Sequence, residues 1–357
     1  MRICVYAITK DEAAHVARFM EAVGSAVDVF VGDTGSSDDT VSLLEQYPNV
    51  TVFDCYIEPW RFDAARNSVL ERILEPYDLY VSLDLDEVIS AGWLEELHAQ
   101  PLANLYQYSY VWSHQPDGRP DVMHLRERIH SQGFRWVKRT HEVLQWVGHA
   151  EMKVVRLANL FIHHYPDQGK TRGFNLQLLA EEYAEHPEDP RNAFYLGREH
   201  FFMGNYPEAL QVLVDYLGLP SAVWESERAA AMQYLAKCSE ALGDNAAARD
   251  WYLAATMETT EREPFMALSE FYCRMGLYRL ACTAAERALG IKAGPEMPYT
   301  QSHYVWNGGP EHLMSFTLWQ LGEYSRSKKF AIEAAIQDPA NKMFIENLVH
   351  YRNVPDA

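Results

Sequence analysis

Asp84, Asp86 and Glu87 stand directly behind the apolar run Leu79-Tyr80-Val81-Ser82-Leu83. Carboxylates avoid burial unless they are paired or bound to a metal. If the run is a strand that continues through the acids, alternation puts Asp84 and Asp86 on one face. Two carboxylates so placed can hold a hard divalent ion through oxygen, with diphosphate oxygens completing the shell. The other reading is a strand that ends in water and a solvated acidic turn. Three further clusters carry chemistry. Asp63 and Arg66 lie one helical turn apart in "WRFDAARN", either as an intrahelical ion pair worth a few tenths of a kcal/mol or as part of a site. His141-Glu142 sits in "LRERIHSQGFRWVKRTHEVLQWVG", a stretch rich in Arg, His and Trp; Glu142 is a candidate base, or a loop acid paired to Arg139 or Arg128. His163 and His164 lie in "FIHHY", where a neutral imidazole can ligate a metal or serve the structure alone.

The elements around these residues alternate. "RICVYAI", "VDVFVGD", "NVTVFDCYI" and "YDLYVSLDLDE" read as strands, with helical spacing in "KDEAAHVARFMEAVGS", "SSDDTVSLLEQYP" and "FDAARNSVLERILEP" between them. Strand–helix alternation predicts a mainly parallel α/β sheet over residues 1–169. Such sheets bind ligands at the carboxyl ends of their strands, where Asp33-Thr34-Gly35-Ser36, the segment around Asp63, and Asp84-Leu85-Asp86 all fall. Ser36, Ser37 and Asp38 also suit capping of the following helix.

Residues 170–357 are Ala-, Leu- and aromatic-rich with helical spacing. "FFMGNYPEAL", "SEALGDNAAA", "CRMGLYRLAC" and "WQLGEYSRSK" share a Gly followed five residues later by a small residue. The pairs are Gly204/Ala209, Gly243/Ala248, Gly276/Ala281 and Gly322/Ser327, with Gly spacings of 39, 33 and 46. The middle spacing is close to the 34-residue tetratricopeptide period. An all-α, tetratricopeptide-like helical repeat domain is expected, with a generic helical bundle as the other reading; repeat arrays present concave surfaces suited to a protein acceptor or a homodimer.

The chain has 357 residues, 48% hydrophobic and 13% aromatic, so it can build a core. The net charge of −19 argues against a broad nucleic-acid footprint. Five scattered cysteines without Cys-x-x-Cys read as reduced thiols of a cytoplasmic protein. The charged start "MRICVYAITKDEAAH" does not read as a signal peptide, and no apolar run reaches membrane-spanning length.

Taken in order, "VYAITKDEA", "VGDTGSSDDTV", "EPWRFDAARN" and "VSLDLDEV" resemble the nucleotide-binding half of family 2 glycosyltransferases, which have the GT-A fold, in the subset that carries C-terminal tetratricopeptide repeats. The resemblance implies an enzyme, a metal-dependent, inverting glycosyltransferase with a UDP-linked nucleotide-sugar donor and Mn²⁺ or Mg²⁺ as cofactor. It places Ile8 and Thr9 along the nucleoside and Asp33 at base or ribose. Asp63, Arg66, Asp84 and Leu85 fall near the nucleotide sugar, with Arg66 answering diphosphate charge. Asp86 and His164 become metal ligands, His164 preferred over His163 because Tyr165 follows it. Glu142 becomes the base that takes the acceptor's proton. Pro166 stands where the family often has Gly. The expected acceptor is a protein or peptide side chain. The alternatives are a modified DNA base, which Arg126, Arg128, Arg135, Lys138 and Arg139 could meet through phosphate, and a non-catalytic nucleotide-sugar-binding scaffold.

Overall fold

A computed structural model describes residues 1–167, 173–294 and 298–355. Its contacts divide the chain into two units, Met1–Glu185 and His186–Ala357.

Among the described residues the first unit contains ten strands and five helices. They are β1 (Ile3–Thr9), α1 (Ala13–Val23), β2 (Asp28–Asp33), α2 (Thr40–Leu44), β3 (Val50–Asp54), α3 (Phe62–Arg72), β4 (Leu79–Ser82), β5 (Glu87–Ile89), α4 (Trp93–Ala99), β6 (Leu105–Val111), β7 (Val122–His130), β8 (Phe134–Val137), β9 (Val143–Trp146), β10 (Val154–His164) and α5 (Gly173–Glu185). The main sheet runs β3-β2-β1-β4-β7-β6-β10-β5, and β8 and β9 form a separate hairpin. The first four strands pair parallel, as expected. Beyond β4 the sheet is mixed: β4–β7, β7–β6 and β10–β5 are antiparallel and β6–β10 is parallel. The expectation of a mainly parallel sheet therefore holds for the first half alone.

Both faces of the sheet are covered, which is why β1 reads "ICVYAIT" without polar alternation. On one face Val5, Ala7, Val29, Val31 and Val81 pack with Phe19 and Met20 of α1 and Trp93 and Leu97 of α4. On the other, Cys4, Tyr6 and Tyr80 pack with Val69 of α3 and Trp136 of β8. The chain leaves β1 toward β2 and β3, then returns through α3 to place β4 on the opposite side of β1. That reversal makes the carboxyl ends of β1 and β4 a topological switch point, the position where open α/β sheets bind ligands.

Two expectations change here. The fourth strand does not run through the acids: β4 ends at Ser82, and a turn closed by Glu87 N–H donating to the Asp84 carbonyl at 2.9 Å reverses the chain into β5. Asp84 and Asp86 therefore do not share a strand face. Helix α5, expected in the helical half, belongs to the first unit. Its Glu181 and Glu185 pair with Arg139 and its Glu182 with Lys138, so the division falls at 185/186 rather than 169/170.

The second unit contains α6 (Pro190–Phe202), α7 (Tyr206–Gly218), α8 (Glu225–Ala241), α9 (Asn245–Glu258), α10 (Glu263–Arg274), α11 (Tyr278–Gly290), the short α12 (His303–Trp306), α13 (Gly309–Gln320), α14 (Tyr324–Gln337) and α15 (Lys342–Asn347). The pairs α6/α7, α8/α9, α10/α11 and α13/α14 each turn at one of the four repeated glycines. Each glycine has φ between 70° and 82° and follows the helix C-cap. In each turn the glycine N–H bonds three residues back and the next N–H five residues back, as in Asn205 to the His200 carbonyl and Leu277 to the Tyr272 carbonyl. Ala209, Ala248, Ala281 and Ser327 are completely buried. The repeat reading thus has a structural basis: a left-handed turn, then a small residue at the helix–helix contact.

Gly197 acts differently, since a Cβ there would lie 2.6 Å from Leu213 Cγ between α6 and α7. Gly197→Ala is expected to cost about 1–3 kcal/mol through overpacking. Gly243→Ala, with nothing within 4 Å of its Cβ, should cost only the left-handed backbone strain of about 1–2 kcal/mol. Thermal unfolding of the two variants would compare them; equal shifts at a few tenths of a kcal/mol would contradict the close-approach argument.

Candidate active site

Three acids and three arginines meet beyond the end of β4. Arg66, on the α3 face turned to the sheet, donates from Nε to Glu142 Oε1 at 2.7 Å, from Nη1 to Ser82 Oγ at 3.1 Å and from Nη2 to Asp84 Oδ1 at 2.7 Å. Arg128, on β7 beside β4, donates to Asp84 Oδ2 at 2.9 Å and to Glu142 Oε1 at 3.1 Å. Arg126, two residues earlier on the same strand face, donates to Glu87 Oε1 at 2.8 Å and lies 4.0 Å over the Tyr110 ring. Glu87 also accepts from Tyr110 Oη at 2.9 Å and from the Asp84 N–H at 3.0 Å. The charge behind β4 is therefore matched by guanidiniums of the chain itself.

Electrostatics follow from that matching. Burial alone would raise the Asp84 and Glu142 carboxyls, but Arg66 and Arg128 outweigh it and hold both below the ordinary carboxylate range. Burial works against the charge of Arg66 and Arg128, and the neighbouring acids more than restore it. The three arginines differ in access: the Arg66 and Arg128 side chains are 3% and 8% exposed, that of Arg126 26%. Arg126 is thus the most accessible of the three guanidiniums.

Asp86 faces elsewhere. Its Oδ2 lies 3.2 Å from His164 Nε2, and its carbonyl accepts from the Tyr165 N–H at 2.9 Å. His164 ends β10 beside Trp112, at 5.0 Å between rings, and its buried Nδ1 has no hydrogen-bond partner among the described residues. His163 points away, bonded to His114 at 2.9 Å. No group of three or more His, Cys, Asp or Glu able to hold a metal occurs among the described residues. One carboxylate and one imidazole on adjacent segments still fit a hard divalent ion that keeps waters and takes phosphate oxygens. Asp84, gripped by two guanidiniums, is not available as a third ligand in this arrangement.

The other residues marked in the sequence fall as follows. Ile8 is half-buried and Thr9 buried at the end of β1, where the Thr9 carbonyl accepts from Thr34 N–H and Oγ1, both at 2.9 Å. Thr9 Oγ1, at the carboxyl end of β1, is buried without a hydrogen-bond partner among the described residues. Asp33 accepts from the Gly35 and Ser36 N–H groups at 3.1–3.2 Å, so its carboxylate closes its own turn. Asp38 serves two helix starts: its Oδ1 accepts from the Thr40 N–H at 3.0 Å at the start of α2 and its Oδ2 from the Ala13 N–H at 3.1 Å at the start of α1, while Asp11 accepts from the Ser37 N–H at 2.6 Å. The loops after β1 and β2 are thereby laced together. Asp63 pairs with Arg61, through bonds of 3.0 and 2.7 Å, and not with Arg66. The Leu85 side chain is buried in the core, leaving only its backbone for a ligand. Glu142 takes the paired role with Arg128, joined by Arg66 rather than Arg139. Both of its bonds use Oε1; Oε2 accepts none of the described hydrogen bonds.

Ser82, Tyr110 and Trp136 carry no signal of their own in the sequence; Glu87 stands out there only as one of the acids behind the apolar run, Arg126 only as part of a phosphate-binding patch, and Arg128 as part of that patch and as a partner for Glu142. Four residues of that patch, Arg126, Arg128, Lys138 and Arg139, are paired with acids, and the fifth, Arg135, is exposed on β8. The Arg-x-Arg alternation in β7 was the one local signal for a shared strand face.

His130, at the end of β7, is buried between the Tyr6 hydroxyl at 2.8 Å and the Ser131 carbonyl at 2.8 Å. Burial pushes its pKa down to about 4. The folded state holds it neutral while the unfolded chain takes up a proton below about 6.5. Stability from this group is complete above 6.5 and is lost as pH falls toward 4, by up to roughly 3 kcal/mol. Urea midpoints at pH 7 and pH 4.5 should therefore separate more in the wild type than in His130→Gln; equal separations would remove His130 as the cause.

Comparison with known proteins adds a partial match. No family model matches the chain. Over 126 residues, 33% of the chain, it is 31% identical to an uncharacterized glycosyltransferase of Rickettsia felis and 30% identical to one of Rickettsia conorii. It covers 43% of each, so it spans less than half the length of these curated relatives. Among solved structures, MamA is similar over 49% of this chain and 96% of its own, at 16% identity and a TM-score of 0.38. The C-terminal part of a TPR repeat-containing protein from Cytophaga hutchinsonii is similar over 49% and 63%, at 13% identity and a TM-score of 0.40. No helix among the described residues is long and apolar enough to cross a membrane.

Proposed function

We propose that the first unit is a GT-A-type, family 2 glycosyltransferase that moves a sugar from a UDP-linked donor to an acceptor, with inversion at the anomeric carbon. The observation that carries this reading is the Asp86–His164 pair, set beside the arginine–acid cluster at the β1/β4 switch point. The relatives named as glycosyltransferases agree with it.

In this reading the ends of β1 and β2, with Ile8, Thr9 and the turn closed by Asp33, lie along the nucleoside, and the buried Thr9 hydroxyl gains a partner there. The half-exposed Arg61 and its partner Asp63 border the same switch point. Arg126 meets the diphosphate, while Arg66 and Arg128 act from beneath, fixing Asp84 and Glu142. Asp86 and His164 hold Mn²⁺ or Mg²⁺, which when bound neutralises charge on the leaving diphosphate. Glu142 accepts the acceptor's proton on Oε2 as the acceptor oxygen or sulfur bonds to the anomeric carbon. The bond from that carbon to the diphosphate oxygen breaks, and its electron pair leaves with the nucleotide. Because Arg66 and Arg128 make Glu142 a weak base, proton transfer accompanies bond formation rather than preceding it. The repeat unit offers the extended helical surface that a protein or peptide acceptor, or a second copy of the chain, would require.

The test is nucleotide release from a panel of nucleotide sugars with and without Mn²⁺. Metal-dependent release from one UDP-sugar is expected. Failure of any nucleotide to bind would overturn the reading, and binding without turnover across acceptors would favour a scaffold.

A further inference from the structure

Two buried guanidiniums share one indole. Arg66 Cζ lies 5.1 Å and Arg128 Cζ 5.5 Å from the Trp136 ring centroid, and Trp136 is 1% exposed. Arg66 and Arg128 repel each other, and the bonds to their shared acids Asp84 and Glu142, with that of Arg66 to Ser82, engage N–H groups in the guanidinium planes and leave the faces to other contacts. The negative face of an indole is the natural filler behind such a pair, since it attracts a cation without competing for its N–H groups.

Trp136 is itself held firmly. Its N–H donates to Asn67 Oδ1 and its carbonyl accepts from Asn67 Nδ2, both at 2.9 Å. Its Nε1 donates to Tyr6 Oη at 2.7 Å, and that hydroxyl meets His130. Consecutive residues of α3 therefore address one tryptophan: Arg66 lies over its ring and Asn67 pairs with its backbone. An unpaired Asn67 amide would explain neither bond, and an aliphatic residue at 136 would leave the indole's hydrogen-bond partner and both cations without their backing.

We infer that Trp136, fixed by Asn67 and Tyr6, is a positioning residue that sets the Arg66 and Arg128 guanidiniums in register with Asp84 and Glu142. Only the kinetic consequence rests on the proposed transfer reaction.

The primary readout is hydrogen exchange of the Arg66 Nε–H, which donates to Glu142, followed by ¹⁵N NMR of the full chain and assigned with Arg66→Lys. Trp136→Leu should speed this exchange by about tenfold or more, while Trp136→Phe, which keeps an aromatic face, should stay within about threefold of wild type. A folded Leu variant with wild-type exchange, or a Phe variant as fast as Leu, would overturn the inference. If the Leu variant does not fold, Asn67→Ala decides: several-fold faster exchange supports the inference and unchanged exchange overturns it. Exchange needs no donor. A wild type inert toward every nucleotide sugar would therefore sink the transfer reading alone, whereas turnover with unaltered exchange in the Leu variant would sink this inference alone. Where turnover is measured, Trp136→Leu should lower kcat about tenfold with donor KM within about threefold, and Phe should restore it.

Discussion

Asp86→Ala is expected to lower metal-dependent nucleotide release by about 100-fold or more while leaving the melting temperature within a few degrees of wild type. The two halves of that expectation come from the same geometry. The Asp86 carboxylate is partly exposed and its one described side-chain partner is His164, at 3.2 Å. Losing an accessible pair of this kind costs the fold about 1 kcal/mol or less. Its chemical loss is large, because Asp84 is tied to Arg66 and Arg128 and no third acid or imidazole is grouped with the pair among the described residues. His164→Ala should act in the same direction, and either variant should raise the Mn²⁺ concentration needed for half-maximal release by about tenfold or more. Asp86→Asn, which keeps shape and removes charge, should behave like Ala if the carboxylate is a ligand and like wild type if it only orients His164. Release within threefold of wild type in both Asp86→Ala and His164→Ala would remove this pair from the reaction.

The parallel half of the sheet was legible because β1, β2 and β4 are largely buried apolar runs and the edge strand β3 is rich in β-branched and aromatic residues. The repeats were legible because a left-handed turn admits glycine and a close helix contact admits small residues, and both recur at fixed offsets. The fourth strand was extended too far because "SLDLDEV" keeps an alternating pattern through a turn that the Asp84 carbonyl closes. The partners of the acids were not legible for another reason. Arg66 and Glu142 are 76 residues apart in sequence, Arg128 and Asp84 are 44 apart, and no local period joins them. Asp63 and Arg66 show the converse error. Their helical spacing suggests a pair, yet Arg61 reaches Asp63 first, and Arg66 turns toward the sheet, where buried carboxylates need it more. Sequence spacing therefore marked the acids behind β4, while the matching of their charge is a product of the strand order.

That matching sets the second expectation. Arg66→Met should destabilise the first unit by about 3–5 kcal/mol, a fall of about 10 °C in its melting temperature. The substitution fills a similar volume, so the loss is electrostatic: Glu142 Oε1 and Asp84 Oδ1 would each lose a 2.7 Å partner inside a buried site. Arg128 alone would then face two carboxylates. Adding Glu142→Gln to Arg66→Met removes one stranded charge and should recover a large part of the loss, since replacing both members of a buried pair is far less costly than breaking it. The acid limb gives a second check. Asp84 and Glu142 have depressed pKa values, so their contribution is present above their ordinary range, near 3.8 and 4.5, and is lost as pH falls through the folded values. Arg66→Met should flatten this part of the acid unfolding curve because less depression remains to be lost. An arginine whose work was to bind diphosphate would behave otherwise: its loss would raise donor KM and leave melting unchanged. A stable Arg66→Met protein with weakened donor binding would therefore return Arg66 to the role its sequence motif implied, and leave Asp84 and Glu142 to Arg128.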